Sequence, residues 1–174
     1  MHRQRCNMKR MVADKPVKYF AYGLLAIGGA LAAWTVSEPA SAATACRDID
    51  TVKESADLNK NTGMGGHVTQ HILGMAPPPG MSQQGKTLFK DGEKFGRAWG
   101  QYTSITNPKM CTGNSSIQQV FKISGLVDAL SCRAVDGAGK CTEYDSFASD
   151  TIAFAFINNG GKWILNTAYP VPMP

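Results

Sequence analysis

The stretch that most constrains this chain lies near its C-terminus, where Thr151-Ile-Ala-Phe-Ala-Phe-Ile157 and Lys162-Trp-Ile-Leu-Asn-Thr-Ala-Tyr169 flank Asn158-Asn159-Gly160-Gly161. Two runs rich in β-branched and aromatic residues around an Asn/Gly turn predict an antiparallel β-hairpin. Alternation along the second strand places Trp163, Leu165, Thr167 and Tyr169 on one face, with Ile164 and Asn166 on the other. The hydroxyls of Thr167 and Tyr169 are therefore expected to point the same way at the strand's end.

The other end of the chain is built differently. Arg3, Arg5, Lys9, Arg10, Lys15 and Lys18 precede the apolar stretch Tyr19–Val36, which runs through Ser37-Glu38-Pro39 to Ala40-Ser41-Ala42. A basic region, an apolar region and a small-residue triplet read as a secretory signal peptide cleaved after Ala42, with an uncleaved signal anchor as the alternative. The 174 residues carry a net charge of +5. Since six basic and only two acidic residues fall within 1–42, the remainder is nearly neutral, so its composition argues no broadly cationic surface for nucleic acid or membrane. Residues 43–174 have the length of one domain with a real core. The expected location is secreted or periplasmic, with no stable membrane association after cleavage.

Four cysteines follow the cleavage point: Cys46, Cys111, Cys132 and Cys141. An even number in an exported chain predicts two disulfides, with three pairings open. Zinc is the weaker explanation, because no C-x-x-C pair occurs and the spacings match no common finger or ribbon.

Helical signals come before strand signals. Asp50 to Asn61 reads as a short surface helix, and Gly65-Gly66 and Gly74 frame a second one around His67-Val-Thr-Gln-His71-Ile-Leu73. Pro77-Pro78-Pro79-Gly80 must then form a loop. From Asp91 the spacing of Phe95, Trp99 and Tyr102 predicts a helix that packs on the core, and Gly92, Gly96 and Gly100 within it suggest close approach of a neighbouring backbone. Ile117–Val127 and Ala129–Val135 contain short β-compatible runs that stop at Asp136-Gly137-Ala138-Gly139.

Chemistry at neutral pH that needs an imidazole has only His67 and His71 to use after signal removal. Four residues apart, they share a face of a helical segment at about 6 Å. The glutamate of H-E-x-x-H is missing, since Val68, Thr69 and Gln70 intervene, and no third histidine completes a metal site. A G-x-S-x-G elbow and the glycine-rich phosphate loops are likewise absent, so no metal or cofactor is expected. These residues do suit metal-free cleavage of RNA through its 2′-hydroxyl. That reaction needs a base, an acid, and donors or a cation for the charged phosphorane. His67 and His71 can supply the proton transfers, Thr167 and Tyr169 phosphate hydrogen bonds, and Lys86 the positive charge.

Taken in order, these segments resemble the bacterial ribonuclease A-like toxin domains found at the C-termini of contact-dependent inhibition proteins. Gly65-Gly66-His67-Val-Thr-Gln-His71-Ile-Leu-Gly74 is similar to their opening segment, Gly85-Lys86-Thr87-Leu88-Phe89 to the segment before their next helix, and Thr167-Ala168-Tyr169-Pro170 to their last strand. The similarity spans about residues 62–172. It implies an α+β fold in which N-terminal helices pack on a twisted antiparallel sheet ending in a β-hairpin, and it implies metal-independent ribonuclease activity. Carried over, the family's functional residues are His71 (or His67), Thr167 and Tyr169. The family's arginine has no counterpart, because Met75-Ala-Pro-Pro-Pro-Gly-Met81 occupies its place. Lys86 is the expected replacement and Arg97 the second candidate. The expected partners are an RNA substrate and a cognate inhibitor (immunity) protein. The alternative is a non-catalytic, disulfide-stapled periplasmic binding or immunity-type protein on the same scaffold.

Overall fold

A computed structural model describes residues 43–173. The signal peptide, its cleavage after Ala42 and the apolar stretch Tyr19–Val36 lie outside the described residues. Among the described residues no helix is long and apolar enough to cross a membrane.

The chain is α+β with antiparallel sheets. Strand β1 (Thr44–Ala45) pairs with β3 (Met110–Cys111), while β2 (Thr87–Phe89), β4 (Ser116–Val135), β5 (Cys141–Asn159) and β6 (Lys162–Val171) form a four-stranded sheet in the order β2-β4-β5-β6. The helices are α1 (Asp50–Ser55), α2 (Leu58–Asn61) and α3 (Gly92–Tyr102), joined by short 3-10 turns. The expected hairpin is β5–β6: Asn159 faces Lys162 across Gly160 and Gly161, whose φ angles of 60° and 85° make the two-residue turn.

Several expectations need correction. The short runs after Cys111 are parts of one 20-residue strand, β4, which continues through an irregularity between Lys122 and Val127. Its partner β5 begins at Cys141, ten residues before the apolar signal at Thr151. Residues 142–148 are mostly polar and half-exposed or exposed, so pairing with β4 rather than burial of their own side chains makes them a strand. The helix expected over Asp50–Asn61 divides at Asp57, whose side chain caps α2 by accepting from Asn59 N. Nor does α1 lie on the surface alone, since Val52 and Ser55 are fully buried.

Helix α3 starts where Asp91 accepts from Lys94 N at 2.8 Å. Its Phe95, Ala98 and Tyr102 are buried, and Tyr102 stacks on Phe154 with ring centroids 4.6 Å apart. Burial pushes the Tyr102 hydroxyl up to about 12, so it stays a donor and bonds Gln119 Oε1. The helix glycines do not serve close backbone approach. A Cβ at Gly96 or Gly100 would meet nothing within 4 Å, and one at Gly92 would meet only the Leu58 side chain.

The two disulfides are Cys46–Cys111 and Cys132–Cys141. The first closes a sequence separation of 65 residues and fastens β3 to the 3-10 turn that follows β1, worth about 4 kcal/mol of unfolded-chain entropy. The second staples the β4–β5 turn.

Curling of the sheet positions everything that follows. Its edge strands β2 and β6 approach within 8 Å between Cα atoms, and the glycine-framed histidine segment bridges them. His67 N donates to Asn166 O in β6, and Leu73 N donates to Phe89 O in β2. Fully buried Asn61 secures the first end, donating to Ser55 O (2.7 Å) and Leu165 O (2.8 Å) and accepting from Val68 N (2.8 Å). Gly66 must be glycine, because a Cβ there would overlap the Asn61 carboxamide. Replacing Asn61 with alanine strands three buried backbone groups. Asn61→Ala is expected to cost about 3 kcal/mol in urea unfolding, against less than about 0.5 kcal/mol for exposed Asn59→Ala.

Candidate active site

The histidine segment is a 3-10 turn over Val68–His71 rather than an α-helix. Gly65, at φ 94°, reverses the chain so that His67 starts against β6 and His71 ends against β2. The imidazoles stand 6.4 Å apart between ring centroids, close to the helical expectation.

Buried Gln83 holds the far end. Its Nε2 donates to the carbonyls of Thr69, Ile72 and Met75, and its Oε1 accepts from Cys141 N at 2.8 Å. Backbone bonds from Gln83 N to Gly139 O and from Gly85 N to Cys132 O dock the same loop on the disulfide-stapled hairpin. This docking places Thr87 O 2.7 Å from His71 Nδ1. A carbonyl can only accept, so Nδ1 carries the proton and Nε2 presents its lone pair.

Only 7% of His71 is exposed, and burial lowers its pKa to about 4, with the Thr87 bond opposing and the positive fields of His67 and Lys86 adding. Half-buried His67 is also shifted below its ordinary value, first by burial and then by Lys86, against a hydrogen bond that its ring donates to the Asn166 side chain. Lys86 is exposed, and its charge bears on both rings. Arg97 does not join them: its guanidinium lies near Gly125 in β4. The other described arginines are engaged elsewhere, Arg47 with Ile105 O and Asp48, and Arg133 with Asp145.

The final strand corrects the alternation read from sequence. Between the pairs Phe156↔Leu165 and Ala155↔Thr167, β6 has one extra residue, Asn166, a β-bulge. An inserted residue turns over everything beyond it. Trp163 and Leu165 therefore share the core with Ala168, while Thr167 and Tyr169 face the opposite side together. Their common direction stands; the shared face with Trp163 and Leu165 does not. The Tyr169 ring lies 5.2 Å from that of His71, and its hydroxyl accepts from Gln118 Nε2 at 3.1 Å. Thr167 is buried and its Oγ1 has no hydrogen-bond partner, a state that ordinarily costs free energy and that a ligand's polar atom could relieve.

The structure thus brings His67, His71 and Tyr169 together, with both imidazoles under the field of Lys86 and Thr167 on the Tyr169 face. Sequence reasoning missed Asn61, Gln83, Asn166 and the Thr87 carbonyl, all of which hold these groups through long-range bonds that no local motif announces. Among the described residues, no three His, Cys, Asp or Glu side chains cluster closely enough to share a metal ion. A separate cavity of about 520 Å³, lined by Leu73, Lys90, Asp128, Leu130, Tyr144 and Phe147, contains neither imidazole. In comparisons with known proteins, the chain matches no family model, no curated protein and no solved structure.

Burial of His71 has a consequence for stability. Its folded pKa lies below the ordinary value of 6.5, so between about pH 6.5 and 4 the unfolded chain takes up the proton that the folded one refuses. This group's contribution is complete above about pH 6.5 and falls by about 3 kcal/mol as the pH drops to about 4. His71→Gln cannot titrate. Its urea-unfolding free energy is expected to fall less than wild type's, by about that amount, between about pH 7.5 and 4.

Proposed function

We propose that this protein is an exported, metal-independent endoribonuclease of ribonuclease A-like architecture. The observation that carries the reading is the approach of a neutral, tautomer-fixed imidazole, His71, to the Tyr169 ring, with a second imidazole 6.4 Å away. Such a pair can flank a phosphodiester. His71 Nε2 takes the proton from the 2′-hydroxyl, and the 2′-oxygen attacks phosphorus. The bond from phosphorus to the 5′-oxygen breaks, protonated His67 gives its proton to that oxygen, and a 2′,3′-cyclic phosphate remains. The Tyr169 hydroxyl, the unpartnered Thr167 hydroxyl and the Lys86 ammonium supply donors and charge for the phosphorane.

Two disulfides suit an oxidising compartment, and export, to the periplasm or beyond, would keep the nuclease away from its producer's RNA. An immunity protein would serve the same end during synthesis. The rival is a binding module without catalysis. It draws on one observation, that each described arginine is placed away from the imidazoles, leaving only Lys86 as a cation that bears on both.

Cleavage of a fluorescent RNA by the oxidised protein in EDTA separates the two. Cleavage that survives chelation and is lost in a folded His71→Ala variant supports the enzyme; no cleavage by folded wild type supports the binder. The pH profile adds a signature. The productive form has His71 neutral and His67 protonated, so kcat/KM should rise through about pH 4 and decline before about pH 6.5, giving an acidic optimum. His67→Gln should remove the alkaline limb.

A further inference from the structure

On the site face of the sheet, cross-strand rows are visible in the register. Gln118 of β4 faces Ala155 of β5, which faces Thr167 of β6; in the next row Val120 faces Ala153, which faces Tyr169. Strands lie about 4.8 Å apart and rise about 3.4 Å per residue, so Gln118 and Tyr169, two strands and one row apart, are separated by about 12 Å along the sheet. Their side chains nonetheless meet, Gln118 Nε2 donating to Tyr169 Oη at 3.1 Å. Only a floor of small residues permits this, and both intervening positions are alanine.

From this bridge over Ala153 and Ala155, we propose that Gln118 is a positioning residue for Tyr169. The inference rests on the ribonuclease reading and deepens it. A phenol oxygen can both accept and donate. With Gln118 occupying an acceptor position, the phenolic hydrogen is directed away from the carboxamide and is available to a phosphoryl oxygen. The same bond holds the ring beside His71, 5.2 Å between centroids, so the tyrosine need not be ordered when substrate binds. Gln118 itself is exposed and its side chain makes no other hydrogen bond in the structure, which separates this role from a contribution to the core.

The test is a double-mutant cycle in steady-state cleavage of RNA by the full, oxidised protein. Gln118→Leu is expected to lower kcat about fivefold with KM unchanged, because the hydrogen bond matters where charge develops on phosphorus. In the Tyr169→Phe background the same change should alter kcat by less than about 1.5-fold, since no hydroxyl remains to position. Gln118→Glu keeps the shape but presents only acceptors, drawing the phenolic hydrogen inward, and should lose at least as much as Gln118→Leu. An equal fivefold loss with and without the Tyr169 hydroxyl, a change confined to KM, or a wild-type rate for Gln118→Glu would overturn the inference while leaving the ribonuclease standing. Absence of RNA cleavage by folded wild type would overturn both.

Discussion

Two fully buried carboxamides, Asn61 and Gln83, hold the segment on which the rest of the site depends. A short chain segment carrying histidines has no regular secondary structure to satisfy its backbone, and each unpaired buried group would be costly. A carboxamide offers two donors and an acceptor without a charge to desolvate. Asn61 ties the segment's start to α1 and β6, and Gln83 ties its end to the turn of the β4–β5 hairpin. The histidine segment can therefore span the two edges of a curled sheet while remaining only four residues of 3-10 turn.

The second device is the bulge at Asn166. Without it, Thr167 and Tyr169 would follow Trp163 and Leu165 into the core, and Ala168 would face outward. One extra residue exchanges them, giving the core a small apolar side chain and the site two hydroxyls. The bulge residue is used again, since its carbonyl accepts from His67 N and its side chain bonds the His67 ring. The irregularity that turns the strand over is also the contact that seats the first imidazole.

These contacts set the proton inventory. Placing His71 against the Thr87 carbonyl fixes its tautomer, and burying it beneath the site keeps it neutral through most of the accessible pH range. His67, less buried and held by Asn166, retains its proton more easily. Two chemically identical residues four positions apart thus acquire different proton affinities from their surroundings, the physical condition that the proposed acid and base require. Exposed Lys86 supplies a local positive field without a broadly basic surface, consistent with the near-neutral charge of residues 43–174.

By itself the sequence determined what depends on neighbours along the chain: the Asn159–Lys162 turn, the helix from Asp91 with Phe95 and Tyr102 inward, and the loop through Pro77–Gly80. The even cysteine count also announced two disulfides, but their pairing was open, because it depends on which loops close in space. Both histidines were legible as candidates because they are the only imidazoles after Ala42, and Tyr169 because it closes the last strand of the hairpin. Tertiary structure decided the rest. It set the full lengths of β4 and β5, whose polar halves become strands by pairing. It set the face of Thr167 and Tyr169, which a single inserted residue reverses, and it excluded Arg97 from the site by docking its guanidinium near Gly125. Local propensity and periodicity can be read from a short window; register, bulges and proton affinity depend on residues as much as 104 positions apart, as Asn61 and Leu165 are.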